Sequence, residues 1–235
     1  MTIALQSVTF RSPDPEGAAA FWGAVLNRRP ERDADGILLA GEPRQVGLRF
    51  ADGAPHGAQK NRLHLHLSET DRGQKDWIAA CVALGGRLLG NGHIPENSYA
   101  VMADVAGDEF CVIEDGNSYL AGCGPLGEVT CEGTRSVGLF WSRALGWPLI
   151  WEEGEETAIQ SPAGGTKIAW SGDPVNPMTD RQRQYFVVSV ARDELDEQLM
   201  RLLALGATRP TTSRADETVL EDPDGNEFVV RTVMA

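Results

Sequence analysis

The sequence predicts an α+β protein of two similar halves, each containing two strand–helix–strand modules, and three observations carry that reading. Short segments recur at nearly constant spacing: Phe21-Trp22 as Phe140-Trp141, Ala83-Leu84-Gly85 as Ala204-Leu205-Gly206, and Gly107-Asp108-Glu109-Phe110 as Gly225-Asn226-Glu227-Phe228, with offsets of 119, 121 and 118 residues. Self-similarity at a fixed offset marks a duplicated structural unit. Within each half the order strand, helix, then two or three short strands occurs twice, in units of about 55 residues. The Gly-rich stretch Gly116 to Gly127 has the composition of turns, not of a core element, and sets the seam between domains 1–117 and 118–235.

The elements follow in order. A strand at Leu5 to Arg11 leads through Ser12-Pro13-Asp14-Pro15, a helix-start signal, into a helix whose apolar residues are Ala18, Phe21, Trp22, Val25 and Leu26. Strands near Ile37 to Ala40 and Val46 to Ala51 close the first module. The second has a strand at Leu63 to Ser68, a helix near Gly73 to Leu84 ended by Gly85-Gly86, and strands near Arg87 to Leu89, Tyr99 to Ala103 and Glu109 to Glu114. The third runs from a strand at Glu128 to Glu132 through a helix at Arg135 to Leu145 to strands near Thr157 to Gln160 and Thr166 to Trp170, with Glu152 to Glu156 as a solvated hairpin. The fourth has a strand at Tyr185 to Val190, a helix at Asp193 to Leu205 and a final hairpin through Asp222-Pro-Asp-Gly-Asn226, where Pro and Gly supply the fixed and positive φ of a tight turn.

Composition narrows the function. The 235 residues carry 21 Lys and Arg against 34 Asp and Glu, a net charge of −13, which repels nucleic-acid phosphates and anionic lipid alike. The acidity is shared: residues 1–117 hold 11 basic and 16 acidic side chains, residues 118–235 hold 10 and 18. No apolar run approaches the ~20 residues of a membrane span, and the N-terminus alternates as a strand instead of showing a signal peptide. Cys81, Cys111, Cys123 and Cys131 fit no zinc or redox spacing, so the expected location is the reducing cytoplasm. Only three of the basic residues are Lys (Lys60, Lys75 and Lys167), a bias read as base composition without functional weight.

Four such modules, with FW in the helix, ALG at its end and a DPDGNEF hairpin before the last strand, resemble the vicinal oxygen chelate superfamily, which includes glyoxalase I, bleomycin-resistance proteins and extradiol dioxygenases. Asn61-Arg-Leu-His-Leu65 and Gly107-Asp-Glu-Phe-Cys111 match motifs of its glyoxalase-like bacterial members. The resemblance covers nearly the whole chain. It implies βαβββ modules that pair into two curled mixed-sheet bowls, helices outside and ligand inside, as a monomer or homodimer; pairing within or across the halves is left open.

Strand alternation assigns the faces. Val8, Phe10, Leu65, Leu67, Phe110 and Val112 should lie under helices, leaving Ser7, Thr9, Arg11, His64, His66, Ser68, Glu109, Cys111 and Ile113 as the lining of a first bowl. In the second half Phe186, Val188, Val190, Phe228 and Val230 face the helices, and Glu128, Thr130, Glu132, Tyr185, Val187, Ser189, Glu227, Val229 and Arg231 line a second.

In metal-using relatives, two His or Gln on the first strands of paired modules and two carboxylates on the last strands hold a divalent ion. Carried onto this chain, the places of the first half fall on Ser7, His64, Cys111 and one of Gly47, Leu48 or Arg49; those of the second fall on Glu128, Tyr185, Val229 and Ile168 or Ala169. That is too few ligands to retain a metal. No cofactor is therefore expected, the remaining route being a rearranged set of His64 and His66 with Glu109 or Cys111 and His93.

The expected function is binding of a small organic molecule in a bowl, as family resistance proteins sequester antibiotics. The alternatives are a lyase, isomerase or dioxygenase with a rearranged metal site, a metal-free enzyme, and a module that has lost its chemistry. In the catalytic readings His64 or His66 is a general base and Arg11 or Arg49 steadies an oxyanion. Ser7, Thr9, Arg49, Glu109, Cys111, Glu128, Tyr185, Glu227 and Trp170 are the candidate ligand contacts. The plain readings stand beside these: the histidines as solvated polar residues of the concave face, Trp170 as core packing, and Cys111 as a small buried filler with no base beside it.

Overall fold

The computed structural model describes residues 3–54, 61–91, 99–176, 183–210 and 218–233. The first module runs β1 (Ala4–Ser12), α1 (Pro15–Leu26), β2 (Pro30–Asp33), β3 (Gly36–Leu39) and β4 (Gly47–Asp52). Asp14 starts α1 by accepting the Gly17 backbone N–H at 2.9 Å, with Pro15 in the first helical position where its missing N–H costs nothing. The second comprises β5 (Leu63–Leu67), α2 (Gln74–Ala83), β6 (Arg87–Asn91), β7 (Ala100–Ala103) and β8 (Glu109–Val112), and the third β9 (Leu126–Cys131), α3 (Arg135–Leu145), β10 (Leu149–Glu153), β11 (Glu156–Gln160) and β12 (Lys167–Trp170). Gly146 ends α3 at a φ of 68°, the left-handed conformation that favours glycine. The fourth has β13 (Gln184–Ala191), α4 (Leu195–Leu205), β14 (Thr218–Glu221) and β15 (Glu227–Val233). Two strands lie outside the sequence expectation, β2 and β10; both are largely exposed edge strands that carry charged residues and no apolar alternation. The fourth helix also begins later than expected, because Arg192–Glu194 form a 3₁₀ turn.

Among the described residues the strands form two mixed sheets, ordered β14-β15-β13-β1-β4-β3-β2 and β10-β11-β12-β9-β5-β8-β7-β6. In every module the first strand runs parallel to the last. The modules then join through their first strands, β1 antiparallel to β13 and β5 antiparallel to β9. Module one therefore pairs with module four, and module two with module three. This corrects the linings expected half by half: Ser7, Thr9 and Arg11 share a concave face with Tyr185 and Val187, whereas His64, His66 and Cys111 share one with Glu128 and Thr130.

The residues assigned to the helix side, from Val8 and Phe10 to Phe228 and Val230, pack into one hydrophobic cluster spanning both sheets. The repeated FW dipeptides make it continuous. Trp22 of α1 packs edge-on to Phe110 of β8, and Trp141 of α3 packs edge-on to Phe186 and Phe228 of the other sheet, each with ring centroids 5.0 Å apart. Each indole N–H is directed at a buried carboxylate in the hairpin turn of its own half: Trp22 donates to Asp104 at 2.9 Å, and Trp141 reaches Asp222 at 3.5 Å. Within the same turns Asp104 accepts the N–H groups of Ala106 and Asp108, and Asp222 accepts those of Asp224 and Asn226.

A second lock joins the halves. Gln45, between β3 and β4, accepts the Leu126 N–H at 3.1 Å and donates to the carbonyl of Cys123 and the hydroxyl of Thr166. Gly165 lies so close that a Cβ there would meet the Arg44 carbonyl oxygen at 1.6 Å, a contact no side chain allows. No helix among the described residues is long and apolar enough to cross a membrane.

Burial lifts the pKa of both Asp104 and Asp222 to about 6, against the opposing pull of their hydrogen bonds; the Asp108 charge adds to the rise at Asp104. A carboxylate with a raised folded-state pKa contributes stability below its unfolded value near 4, and that contribution is lost as pH rises through 6. Thermal unfolding should therefore show stability falling between pH 5 and pH 7.5, and falling less in the Asp104→Asn/Asp222→Asn double variant, in which neither group titrates.

Candidate functional site

The concave face of the eight-stranded sheet gathers the chemistry. Its central row crosses five adjacent strands in register: Lys167 of β12 beside Glu128 of β9, Glu128 beside His66 of β5, His66 beside Cys111 of β8, and Cys111 beside Val101 of β7. His66 Nδ1 lies 3.0 Å from Glu128 Oε2 and 3.2 Å from Thr130 Oγ1, and Thr130 donates to the same carboxylate oxygen at 2.7 Å. On its other side the in-register neighbour of His66 is Cys111 of β8. Burial opposes a charged imidazole, but the hydrogen bonds and charges of Cys111 and Glu128 outweigh it and hold His66 at about 9. Burial likewise opposes ionisation of Glu128; His66, then Thr130 and Tyr119, hold its carboxyl below the ordinary range. The site is an imidazolium–carboxylate pair at neutral pH. Glu128 Oε1 is buried with no partner at hydrogen-bonding distance among the described residues.

The adjacent row on the same face is built from small residues and ends in an aromatic: His64, Thr130, Ala169, Ala158 and Trp151 lie in register, with Trp151 exposed. The seam packs against this face. Leu120 and Cys123 are buried against Ile113, the Tyr119 ring meets Trp151 edge-on at 6.2 Å, and the Lys167 ammonium stands 3.7 Å from the Tyr119 ring centre while bonding its carbonyl oxygen. The Gly-rich composition of residues 116–127 predicted turns without a core role; its few apolar side chains nonetheless wall the bowl, because the chain must cross this face to reach β9.

The other concave face is clasped. Arg49 is buried and bonds Asp33 of β2, Nη2 to Oδ2 at 2.8 Å, and Arg231 of β15 meets Asp35 of the β2–β3 turn at 2.8 Å. Since β15 and β2 lie near opposite edges of the sheet, the second pair shows how strongly it curls. Beneath are Ser7 and Thr9, fully buried with hydroxyls lacking partners among the described residues, and a small apolar cluster of Tyr185, Val187 and Val229. The Arg11 guanidinium lies 4.9 Å from the Tyr185 ring centre.

The candidate residues thus divide. His64, His66, Cys111 and Glu128 come together, with Glu109 exposed at the far end of β8. Arg11, Arg49, Ser7, Thr9, Tyr185 and Glu227 belong to the other sheet, so neither arginine stands beside the histidines. Trp170 alternates with Ala169 and is buried in the helix-side core. Cys111 is half-buried, and its in-register neighbour on the next strand is His66, which the sequence does not place beside it. Sequence reasoning assigned no role to Lys167 and Tyr119; the rarity of lysine was the available signal for the first.

A divalent ion does not suit these residues. On the strands that bear the family's ligands, this bowl offers two imidazoles, His64 and His66, the second already bonded to the Glu128 carboxylate, with a thiol, an ammonium and Glu109 exposed at the far end of β8; the clasped face offers hydroxyls, a phenol and a guanidinium. Fixed positive charge repels a cation, and among the described residues no three His, Cys, Asp or Glu are placed to share one. His93 of the rearranged set lies outside the described residues.

Comparison with known proteins agrees with this architecture. Residues 7–113 and 128–231 match the glyoxalase-like domain. The chain belongs to this family, in tandem form, within the vicinal oxygen chelate superfamily. Its fold is similar to that of glyoxalase I from Zea mays, with a TM-score of 0.61 at 14% identity over 97% of this chain and 92% of that one. It is also similar to a putative dioxygenase from Bacillus subtilis, with a TM-score of 0.60 at 15% identity over 98% and 85%. No curated protein matches the sequence.

Because His66 is held at about 9, the pair contributes stability that is complete below pH 6.5 and lost as pH rises through 9, while the Glu128 contribution is lost as pH falls below the carboxylate range. The unfolding temperature of the native chain should drop between pH 8 and pH 10. His66→Gln should show a smaller drop, measured by circular dichroism at the two pH values.

Proposed function

We propose that the protein binds a small organic molecule on the concave face of the eight-stranded sheet and does so without a resident divalent metal. The observation that carries this reading is the His66–Glu128 pair at 3.0 Å, set on the bowl floor between Cys111 and Lys167. A pair of this kind offers a charge-assisted hydrogen bond to a polar ligand group, stronger than one between neutral partners. His66 and Lys167 together exceed the negative charge of Glu128, so the floor favours a neutral or singly anionic ligand over the cationic antibiotics bound by resistance proteins. The exposed Trp151, in register with Ala158 and Ala169, offers a ring suited to a flat apolar group. The likeness to glyoxalase I and to a putative dioxygenase supports the fold alone, and no reaction is taken from either. Four free thiols accord with a reducing, cytoplasmic setting.

Isothermal titration with benzoate and with neutral benzamide tests the reading, alongside elemental analysis of protein purified without chelators. The expected result is saturable binding of at least one probe, weakened tenfold or more by His66→Ala, with divalent metal far below one ion per chain. A tenfold loss is about 1.4 kcal/mol, the lower range for a hydrogen bond to a charged group. Binding indifferent to His66, or stoichiometric retained metal, overturns it.

A further inference from the structure

We propose that Cys111 is a nucleophile, paired with His66 and Glu128 across three adjacent strands, and that it adds reversibly to a small carbonyl compound held in the bowl. Parallel pairing of β5 with β8 sets Cys111 directly beside His66 on the concave face, and antiparallel pairing of β5 with β9 sets Glu128 on the other side. Glu128 and Thr130 hold the imidazole by Nδ1, at 3.0 and 3.2 Å, so the ring is fixed between a carboxylate and a thiol. A thiol, an imidazole and a carboxylate side by side on adjacent strands, the last two in contact, are the set that activates a thiol, whatever fold supplies it. Burial raises the pKa of the other three cysteines: Cys81 is pushed to about 11, and Cys123 and Cys131 also rise, all three buried where Cys111 is half-exposed.

The step balances without a further reactant. The Cys111 sulfur attacks the carbonyl carbon; a C–S bond forms and the C=O π pair moves to oxygen, which takes a proton from the His66 imidazolium. The imidazole so formed takes the thiol proton and is an imidazolium again. The product is a protein-bound thiohemiacetal, nothing is oxidised or released, and the reverse step regenerates both partners. Glu128 positions the imidazole and stabilises its charge.

The substrate class rests on the binding reading above, but the reactivity of the thiol is measured apart from it. The intact protein is treated with limiting iodoacetamide at pH 7, and the four cysteines are quantified by peptide mass spectrometry, with and without benzaldehyde. Cys111 is expected to label at least tenfold faster than Cys81, Cys123 or Cys131, and benzaldehyde should protect it. Labelling of Cys111 should slow tenfold in His66→Gly and recover on addition of free imidazole, a rescue that a purely structural role would not give. Labelling no faster than at the buried cysteines, or unchanged in His66→Gly, overturns the nucleophile. Fast labelling that benzaldehyde does not reduce overturns the carbonyl class while leaving the benzoate titration to judge the binding reading by itself.

Discussion

Everything in this molecule depends on the antiparallel pairing of module-opening strands, β1 with β13 and β5 with β9. Each pair is the centre of its sheet, and each joins modules from different halves. Had the modules paired within halves, His66 would face Ser7 or Thr9 instead of Glu128, and the imidazole would lose the carboxylate that keeps it charged. The register matters as much as the partner. Alternate residues of a strand point to opposite faces, so a slip of one residue along β9 would turn Glu128 into the core and present Val129 to His66.

While the sheets cross the halves, the core holds each half together. Trp22 reaches from the helix of module one to the hairpin of module two, and Trp141 from module three to module four. Each buried carboxylate also ties down its own turn through two backbone N–H groups. One aspartate thus fixes both the hairpin before the last strand and the helix packed on it. On β8 that hairpin leads directly into Cys111, so a core feature sets the position of a site residue.

The local elements were legible because their information is local. Phe21, Trp22, Val25 and Leu26 recur at helical spacing, and His64 and His66 alternate with leucines, so helix, strand and facing follow from the chain alone. Strand partnership is decided by side chains more than a hundred residues apart in places, and nothing in the spacing of His66 reveals that Glu128 and not Ser7 completes its surroundings. The same limit made Cys111 look inert and placed Arg11 and Arg49 beside the histidines. Tyr119 and Lys167 were hidden differently: one lies in a stretch whose glycines read only as turns, the other ends a short strand with no motif around it. Trp170 was misplaced by its neighbour, since Ala169 and not the indole faces the bowl.

The crossed pairing also bears on how the two concave faces came to differ. A single half, taken alone, would have β1 and β5 as bare edges, and two identical halves would satisfy each other by exchange, producing two equivalent cavities related by a two-fold axis. Tethering the halves in one chain, through a seam that passes over one cavity and not the other, removes that equivalence. Each half still supplies one wall to both cavities, but a change in either half now alters them independently. One has been drawn shut by Asp33–Arg49 and Asp35–Arg231. The other was left free to assemble a thiol, an imidazole and a carboxylate in line.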